Sequence, residues 1–419
     1  NVIETATDKP LLPPYAVKTV GGVKIALIGI TLKGAPAVVT PAGVAGLRFD
    51  DEAETVNRLV PELKQQGVAS IVVLMHQGAE STADVVNDKS CPGFSGEAIA
   101  IVDRFAPEVD VVVTGHTHDD YICTRPDGKL MTQAGHYGRM ATKIDLLIDP
   151  AQRKVTGKDA NNHVVVNAIV ATDAKGATTG LPAGYAMLSQ QPVLEAMVER
   201  YAALTAKQAN VVVARIAAPL SRKQNKAGES VLGDVVADAY LAGTSDAAYH
   251  AAPAQVAFVN PGGLRNGLSD GDLQVTYGRL YRIHPFANNL VSMDLTGQQL
   301  LRLLEQQWEQ PQPPGGRILS VSNGFTYVWD ASQPEGAAAG EGRRVVPGSV
   351  KLHGVPIEPD KTYRVTTNSF LAAGGDNFKI FTLGTKVQDG SNDLDMLTAY
   401  FRSSQPIAPP ERKRIKRIN

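Results

Sequence analysis

Three short runs of β-branched and apolar residues, 23–30, 70–75 and 109–113, constrain this chain more than any other feature. Each is too short for a buried helix and is bounded by glycine or by polar residues, which reads as a strand covered on both faces. The segments between them carry helical spacing instead. Val56, Leu59, Val60 and Leu63 follow the capping candidates Asp50 and Asp51 and stop at Gly67, while Ile99, Ile101, Val102 and Phe105 mark a second helix. Strand, helix, strand, helix, strand predicts a layered α/β domain with much of its sheet buried on both faces. The second and third strands run into His76 and into Gly115-His116-Thr117-His118. Strand ends are where such sheets keep their chemistry.

The rest of the chain needs a second core. At 419 residues the chain is long enough for roughly two to three domains. Residues 171–184 are rich in glycine, alanine and threonine, and a helix is expected over 190–208 with Val193, Leu194, Met197, Val198, Tyr201 and Leu204 on one side. Beyond it, strands are expected at 211–216, 256–259, 290–295 and 363–367 and helices at 230–241 and 297–307. The expected division is 1–188, a connector helix 189–208, and an α/β domain 209–419. Residues 310–316 and 335–342 read as mobile insertions.

Composition excludes several classes. Hydrophobic residues at 43% and charged residues at 20% describe an ordinary globular chain. A net charge of −1 gives no global attraction to nucleic-acid polymers or anionic lipid, so phosphate must be recognised by local groups. The basic run Arg412, Lys413, Arg414, Lys416 and Arg417 reads as a solvated tail. No apolar stretch is long enough for a spanning helix. Cys91 and Cys123 are the two cysteines. By count alone they fit either a disulfide, which would stabilise by roughly 3 to 4 kcal/mol, or two structural thiols.

Two imidazoles with one residue between them, in an extended loop, point to opposite sides and suit two neighbouring ions better than one. His76 adds a third imidazole at the adjacent strand end. Gly-His-Thr-His after a valine-rich strand, preceded by a strand ending in histidine, resembles the back half of a calcineurin-like metallophosphoesterase domain. The resemblance implies two divalent ions (zinc, manganese, cobalt or magnesium) that activate a water for attack on phosphorus, with His76 and His116 on one ion and His118 on the other. The family's first-half motifs, Asp-x-His, a bridging Asp and an Asn-His pair, do not occur in the 419 residues. The expectation is thus an N-terminally incomplete metal centre, inactive by itself unless that segment is supplied separately.

A second set of motifs lies further on. Asn260-Pro261-Gly262-Gly263-Leu264-Arg265, then Tyr281 through Asn289 with Pro285-Phe286, then Phe370 followed by Gly374-Gly375-Asp376, together resemble the C-terminal domain of 5'-nucleotidases. The resemblance implies a β-sandwich metallophosphoesterase part flanked by helices, joined by a helix to a second α/β nucleotide-binding domain. Phe286 and Phe370 would clamp the base, Asp376 would bind the ribose hydroxyls, and Asn260 and Gly263 would hold the nucleotide. Arg265 would grip phosphate with a second basic contact, Lys226, chosen over Arg222 and Lys223. Rotation about the connector would carry the phosphate to the ions. The implied activity is release of phosphate from nucleotides. Cyclic phosphodiesters or nucleotide sugars are related substrates, and a remnant that only binds nucleosides is the alternative. The resemblance also favours a Cys91–Cys123 disulfide and a periplasmic or extracellular setting.

Overall fold

A computed structural model describes residues 1–39, 41–152, 154–166, 171–172, 178–179, 181, 185–245, 252–269 and 272–419. Most of the glycine-, alanine- and threonine-rich stretch 171–184 lies outside them. The chain divides into two compact units, residues 1–36 with 44–192, and residues 193–419 with 37–43.

The first unit is built on a six-stranded sheet. Its strands are β1 (Ala16–Val20), β2 (Val23–Ile30), β3 (Val68–Met75), β4 (Val109–Val113), β5 (Asp120–Thr124) and β6 (Leu130–Ala134), in the spatial order β1-β2-β3-β4-β6-β5. The central pairs β2/β3, β3/β4 and β4/β6 are parallel, and β1 and β5 close the edges antiparallel. Parallel neighbours need crossovers, and helices α1 (Glu52–Gln65) and α2 (Glu97–Val102) supply them. Asp51 caps α1 by accepting from the amides of Ala53 and Glu54, and Gly67, at φ +75°, makes the turn into β3.

Side-chain alternation then sorts the strands' residues between two faces. Ala26, Ile28, Ile71, Val73 and Val112 pack with Val56, Leu63, Ala98 and Val102 of the helices. On the opposite face Val111, Ile122 and Leu130 meet Ala160 of a hairpin, β7 (Met140–Asp149) and β8 (Lys154–Val164). That second face is covered only in part: Leu74 and Leu147 are 45% and 68% exposed. The expectation of a sheet buried on both faces holds for its centre and not for its rim.

The helix expected over 190–208 forms as α3 (Pro192–Ala209), and none of its residues is buried. Its apolar side chains Val193, Leu194, Met197, Val198, Tyr201 and Leu204 are all exposed. A five-stranded sheet follows. In chain order its neighbours are α4 (Val231–Thr244), β9 (Val256–Val259), α5 (Tyr277–Ile283), β10 (Asn289–Thr296), α6 (Gly297–Glu305), β11 (Ser320–Val321), β12 (Phe325–Asp330), β13 (Thr362–Asn368), β14 (Thr385–Asn392), α7 (Asp393–Ser403) and β15 (Ile415–Ile418). The sheet order is β11-β9-β13-β10-β14. Alternation along β9 feeds two cores. Val256 and Phe258 join Leu300, Leu303, Tyr327 and Trp329 on one side, while Ala257 and Val259 join Leu232, Val236, Tyr240 and Phe401 on the other.

Two expectations are corrected here. The basic C-terminus is not a free tail: β15 pairs in parallel with β12 and Arg414 is buried, while Arg412, Lys413, Lys416 and Arg417 are exposed as expected. The Arg414 guanidinium forks onto both carboxylate oxygens of Asp238 at 2.8 and 2.7 Å and donates to the Val321 carbonyl. The segments 310–316 and 335–342 are not free insertions either. The Gln310 amide donates to the Ala337 carbonyl at 2.8 Å, and the Gly342 amide to the Glu309 carboxylate at 3.0 Å. Among the described residues no helix is long and apolar enough to cross a membrane.

Cys91 and Cys123 form a disulfide across 32 positions, with their Cα atoms 5.9 Å apart. It fastens the loop after β3 to β5. Closing a loop of that size constrains the unfolded chain by about 3 to 4 kcal/mol. Reduction, or the Cys91→Ser/Cys123→Ser double variant, should lower the unfolding free energy of the first unit by that order in urea titrations. An unchanged midpoint would remove the disulfide from the list of stabilising features.

Candidate functional site

Chemistry-bearing loops occur in both units, at strand ends. In the first, the loop after β3 and the loop after β4 are packed backbone to backbone. A Cβ on Gly78 would stand 2.2 Å from the Gly115 carbonyl oxygen and 2.4 Å from Thr117 Oγ1, so only glycine permits the approach. A buried polar network fixes the pair. Thr117 Oγ1 donates to the Ala79 carbonyl at 2.7 Å, and Gln133 Nε2 donates to Thr117 Oγ1 and to the Asp119 carbonyl. The Ala79 amide donates to Tyr121 Oη at 3.1 Å, and burial pushes that phenol up to about 12. Tyr121 therefore stays a neutral structural donor and acceptor.

On this support the imidazoles are exposed. His76 and His116 meet edge to face with ring centroids 5.2 Å apart. His118 lies parallel to His136 at 4.6 Å, and Tyr137 borders both rings. The sequence reading of an extended Gly-His-Thr-His loop is corrected: His116 and His118 sit at φ +73° and +65°, in the left-handed region. Such residues cost of order 1 kcal/mol or more each and persist where their surroundings hold them. His136 was not anticipated. Its only sequence signal was Gly135-His136-Tyr137-Gly138 after a strand.

Imidazole nitrogens suit zinc, manganese and similar ions. Among the described residues, no three or more His, Cys, Asp or Glu side chains gather as a metal group. By donor chemistry His76, His116 and His118 suit divalent ions as parts of ligand sets. They are not complete cages.

The second unit gathers its motif residues more tightly. Asn260 ends β9, nearly fully buried, and its Nδ2 donates to Asp376 Oδ2 at 2.7 Å. Its Oδ1 accepts from Asn368 Nδ2 at 3.1 Å, at the end of β13. Gly263 is required next to it, because a Cβ there would lie 2.8 Å from Asn260 Oδ1. Asp376 is no ordinary turn residue. It stands at φ +51° and is anchored a second time by Arg317 Nη1 on Oδ1 at 2.5 Å. The ring of Phe370 lies over Gly375, where a Cβ would come within 2.5 Å of it. Phe286 is 53% exposed, with the Arg265 guanidinium carbon 5.9 Å from its ring centroid. Lys226 is exposed on the turn before α4, and Arg222 donates to the Leu264 carbonyl at 3.2 Å, which places a second cation on the Asn260–Arg265 turn. Gln312 lies within the 310–316 segment and Arg317 directly follows it; no sequence motif marks either one.

Behind this turn, His284 is fully enclosed. Its Nδ1 donates to the Gly263 carbonyl at 3.1 Å, and Tyr240 Oη is 3.5 Å from Nε2. Desolvation lowers its pKa to about 4. The folded protein therefore binds the proton less readily than the unfolded chain, whose histidine titrates near 6.5.

The fold defines a class: a metallophosphoesterase-like layered α/β unit followed by a second α/β unit. Residues 207–383 match the family model of the 5'-nucleotidase C-terminal domain. The chain is similar to the 5'-nucleotidase of Vibrio cholerae, at 25% identity over 432 residues covering 97% of this chain and 71% of that one. It is also similar to the crystal structure of a 5'-nucleotidase precursor from Thermus thermophilus, with a TM-score of 0.76 and 25% identity over 100% of this chain and 78% of that one. The endonuclease YhcR of Bacillus subtilis is 30% identical over 415 residues, 98% of this chain and 30% of that protein. The second unit thus carries the 5'-nucleotidase C-terminal domain, and the chain as a whole is similar to 5'-nucleotidases. It spans about a quarter to a half of the length of the first curated relatives it matches, 30%, 25% and 48%.

The pH dependence of stability follows from His284. Between pH 6.5 and about 4 the unfolded state takes up a proton that the folded state refuses, so stability is full above 6.5 and falls as pH drops to about 4. The loss attributable to this group is of order 3 kcal/mol. His284→Gln should flatten that part of the profile in urea titrations at pH 7 and 4.5; an unchanged slope would place the acid sensitivity elsewhere.

Proposed function

We propose that this chain serves phosphate release from nucleotides. The second unit holds the nucleoside and the histidine loops of the first unit belong to the hydrolytic centre. The observation that carries the reading is the Asn260–Asp376 hydrogen bond at 2.7 Å. It makes one rigid platform from two turns that are 116 positions apart in the chain. That platform has a carboxylate for ribose hydroxyls, the ring of Phe370 beside it, and the cation Arg265 next to the exposed ring of Phe286. Stacking between two rings is tolerant of base identity, so several nucleotides would be accepted. Arg265 and Lys226 would meet the phosphate, with Arg222 as the cation already seated on the turn.

His76 and His116 would hold one divalent ion and His118 the other, and the bound ions would activate water and stabilise the phosphate oxygens. His136, stacked on His118, would keep that ring in place. The disulfide supports an oxidising compartment, periplasmic or extracellular.

Calorimetry with adenosine tests the clamp. Phe286→Ala and Phe370→Ala should each weaken binding by about 1 to 3 kcal/mol, the loss expected for one stacking contact. Unchanged affinity in both would overturn the assignment of these rings. For the hydrolytic centre, His116→Ala in the complete protein should abolish phosphate release from AMP supplied with Mn²⁺ or Zn²⁺. Turnover at the unmutated rate would remove His116 from the ligand set.

A further inference from the structure

The segment 309–317, which carries Gln312 and Arg317, is not part of the motifs that define the nucleotide platform, yet it is bonded to the platform's carboxylate residue twice. Gln312 Nε2 donates to the main-chain carbonyl of Asp376 at 2.7 Å, and Arg317 Nη1 donates to its Oδ1 at 2.5 Å. The segment has its own anchorage. The Arg317 amide donates to the Gln307 carbonyl at 2.8 Å, the Gln312 amide to the Glu309 carbonyl at 2.9 Å, and the Gln310 amide to Ala337. Arg317 is therefore a fixed donor on a braced turn, with its side chain 23% exposed.

The consequence is a counting one. A carboxylate has about four acceptor positions, two on each oxygen. In Asp376 one on Oδ2 is taken by Asn260 and one on Oδ1 by Arg317. One position is left on each oxygen, and the two fixed donors prevent the group from rotating. A carboxylate held in this way presents two adjacent acceptors, which is the complement of two adjacent hydroxyl donors. With Arg317 removed, Asn260 alone would let the group turn about its last bond, and the pair of acceptors would lose its fixed direction.

We propose that Arg317 is a positioning residue that makes the platform selective for an unmodified cis-diol, and thus for ribonucleotides over 2'-deoxyribonucleotides. This rests on the nucleotide-binding reading above and assigns its sugar selectivity to a residue outside the motifs. A deoxyribose offers one donor where two acceptors are fixed, and an unmatched buried acceptor is what makes such sites discriminate.

The test uses the 419-residue chain and calorimetric affinities for adenosine, 2'-deoxyadenosine and 9-methyladenine. The unmutated chain should prefer adenosine over 2'-deoxyadenosine by about tenfold or more, as expected for one lost hydrogen bond to a charged acceptor. Arg317→Gln should erase most of that ratio while leaving 9-methyladenine affinity unchanged, because the base contacts do not involve Asp376. Arg317→Lys should restore part of the ratio, an effect that a merely structural role would not produce. An undiminished ratio in Arg317→Gln overturns the role of Arg317 and leaves the platform standing. A chain that binds none of the three ligands overturns the nucleotide-binding reading, and this inference with it. Loss of 9-methyladenine binding in Arg317→Gln but not in Arg317→Lys would show a general packing role and would also overturn the proposal.

Discussion

The hydrogen bond from Asn260 to Asp376 is the constraint on which the second unit's site depends. Its donor ends β9 and its acceptor sits eight positions beyond the end of β13, so the bond is made only once those strands are parallel neighbours in the sheet. Fixing it draws in everything around it. Asn260 also ties to Asn368, whose side chain caps the short helix bearing Phe370, and Gly263 leaves room for the amide that does both. A buried amide with its donor and acceptor both used is worth keeping, because an apolar replacement would strand Asp376 and Asn368 together. The sheet thus sets the geometry of the site, and the site's polar bonds in turn lock two turns of the sheet.

The first unit solves a different problem with the same materials. The loop after β4 needs left-handed backbone conformations at His116 and His118, which β-branched residues adopt only at a cost. The compensation lies beneath them, in Gly78, Thr114, Thr117, Tyr121 and Gln133, where each side chain is small or fully hydrogen-bonded. Low dielectric strengthens such a network and penalises any missing member. The exposed rings are consequently held by residues that are buried or half-buried beneath them.

Much of this was legible in the sequence, and the reasons are physical. Short β-branched runs have one inexpensive structure, and β2, β3, β4 and β9 form within two residues of the expected limits. Asp51 caps the helix that its position suggested. What stayed hidden depends on partners distant in the chain. Arg414 reads as one cation in a basic run, and only the parallel pairing of β15 with β12 delivers it to Asp238, 176 positions away. Gln312 and Arg317 lie among prolines and glycines, a composition that signals a loop and cannot signal what the loop touches. The left-handed turns at His116 and His118 escaped as well, since non-glycine residues give no local warning of positive φ.

The difference between the two units has a bearing on how specificity is divided. In the second unit Asn260, Asn368 and Asp376 are buried and hydrogen-bonded to one another or to Arg317, so that part of the geometry exists before a ligand arrives. Preorganised groups lose little freedom on binding, and such a surface discriminates by unmatched donors and acceptors rather than by area. In the first unit the imidazoles of His76 and His116 meet edge to face and that of His118 stacks on His136, above a hydrogen-bonded base. On the proposed function, recognition of the nucleoside and the chemistry at phosphorus would rest on separate physical terms, one a preformed hydrogen-bonding platform and the other a set of imidazoles on a rigid loop.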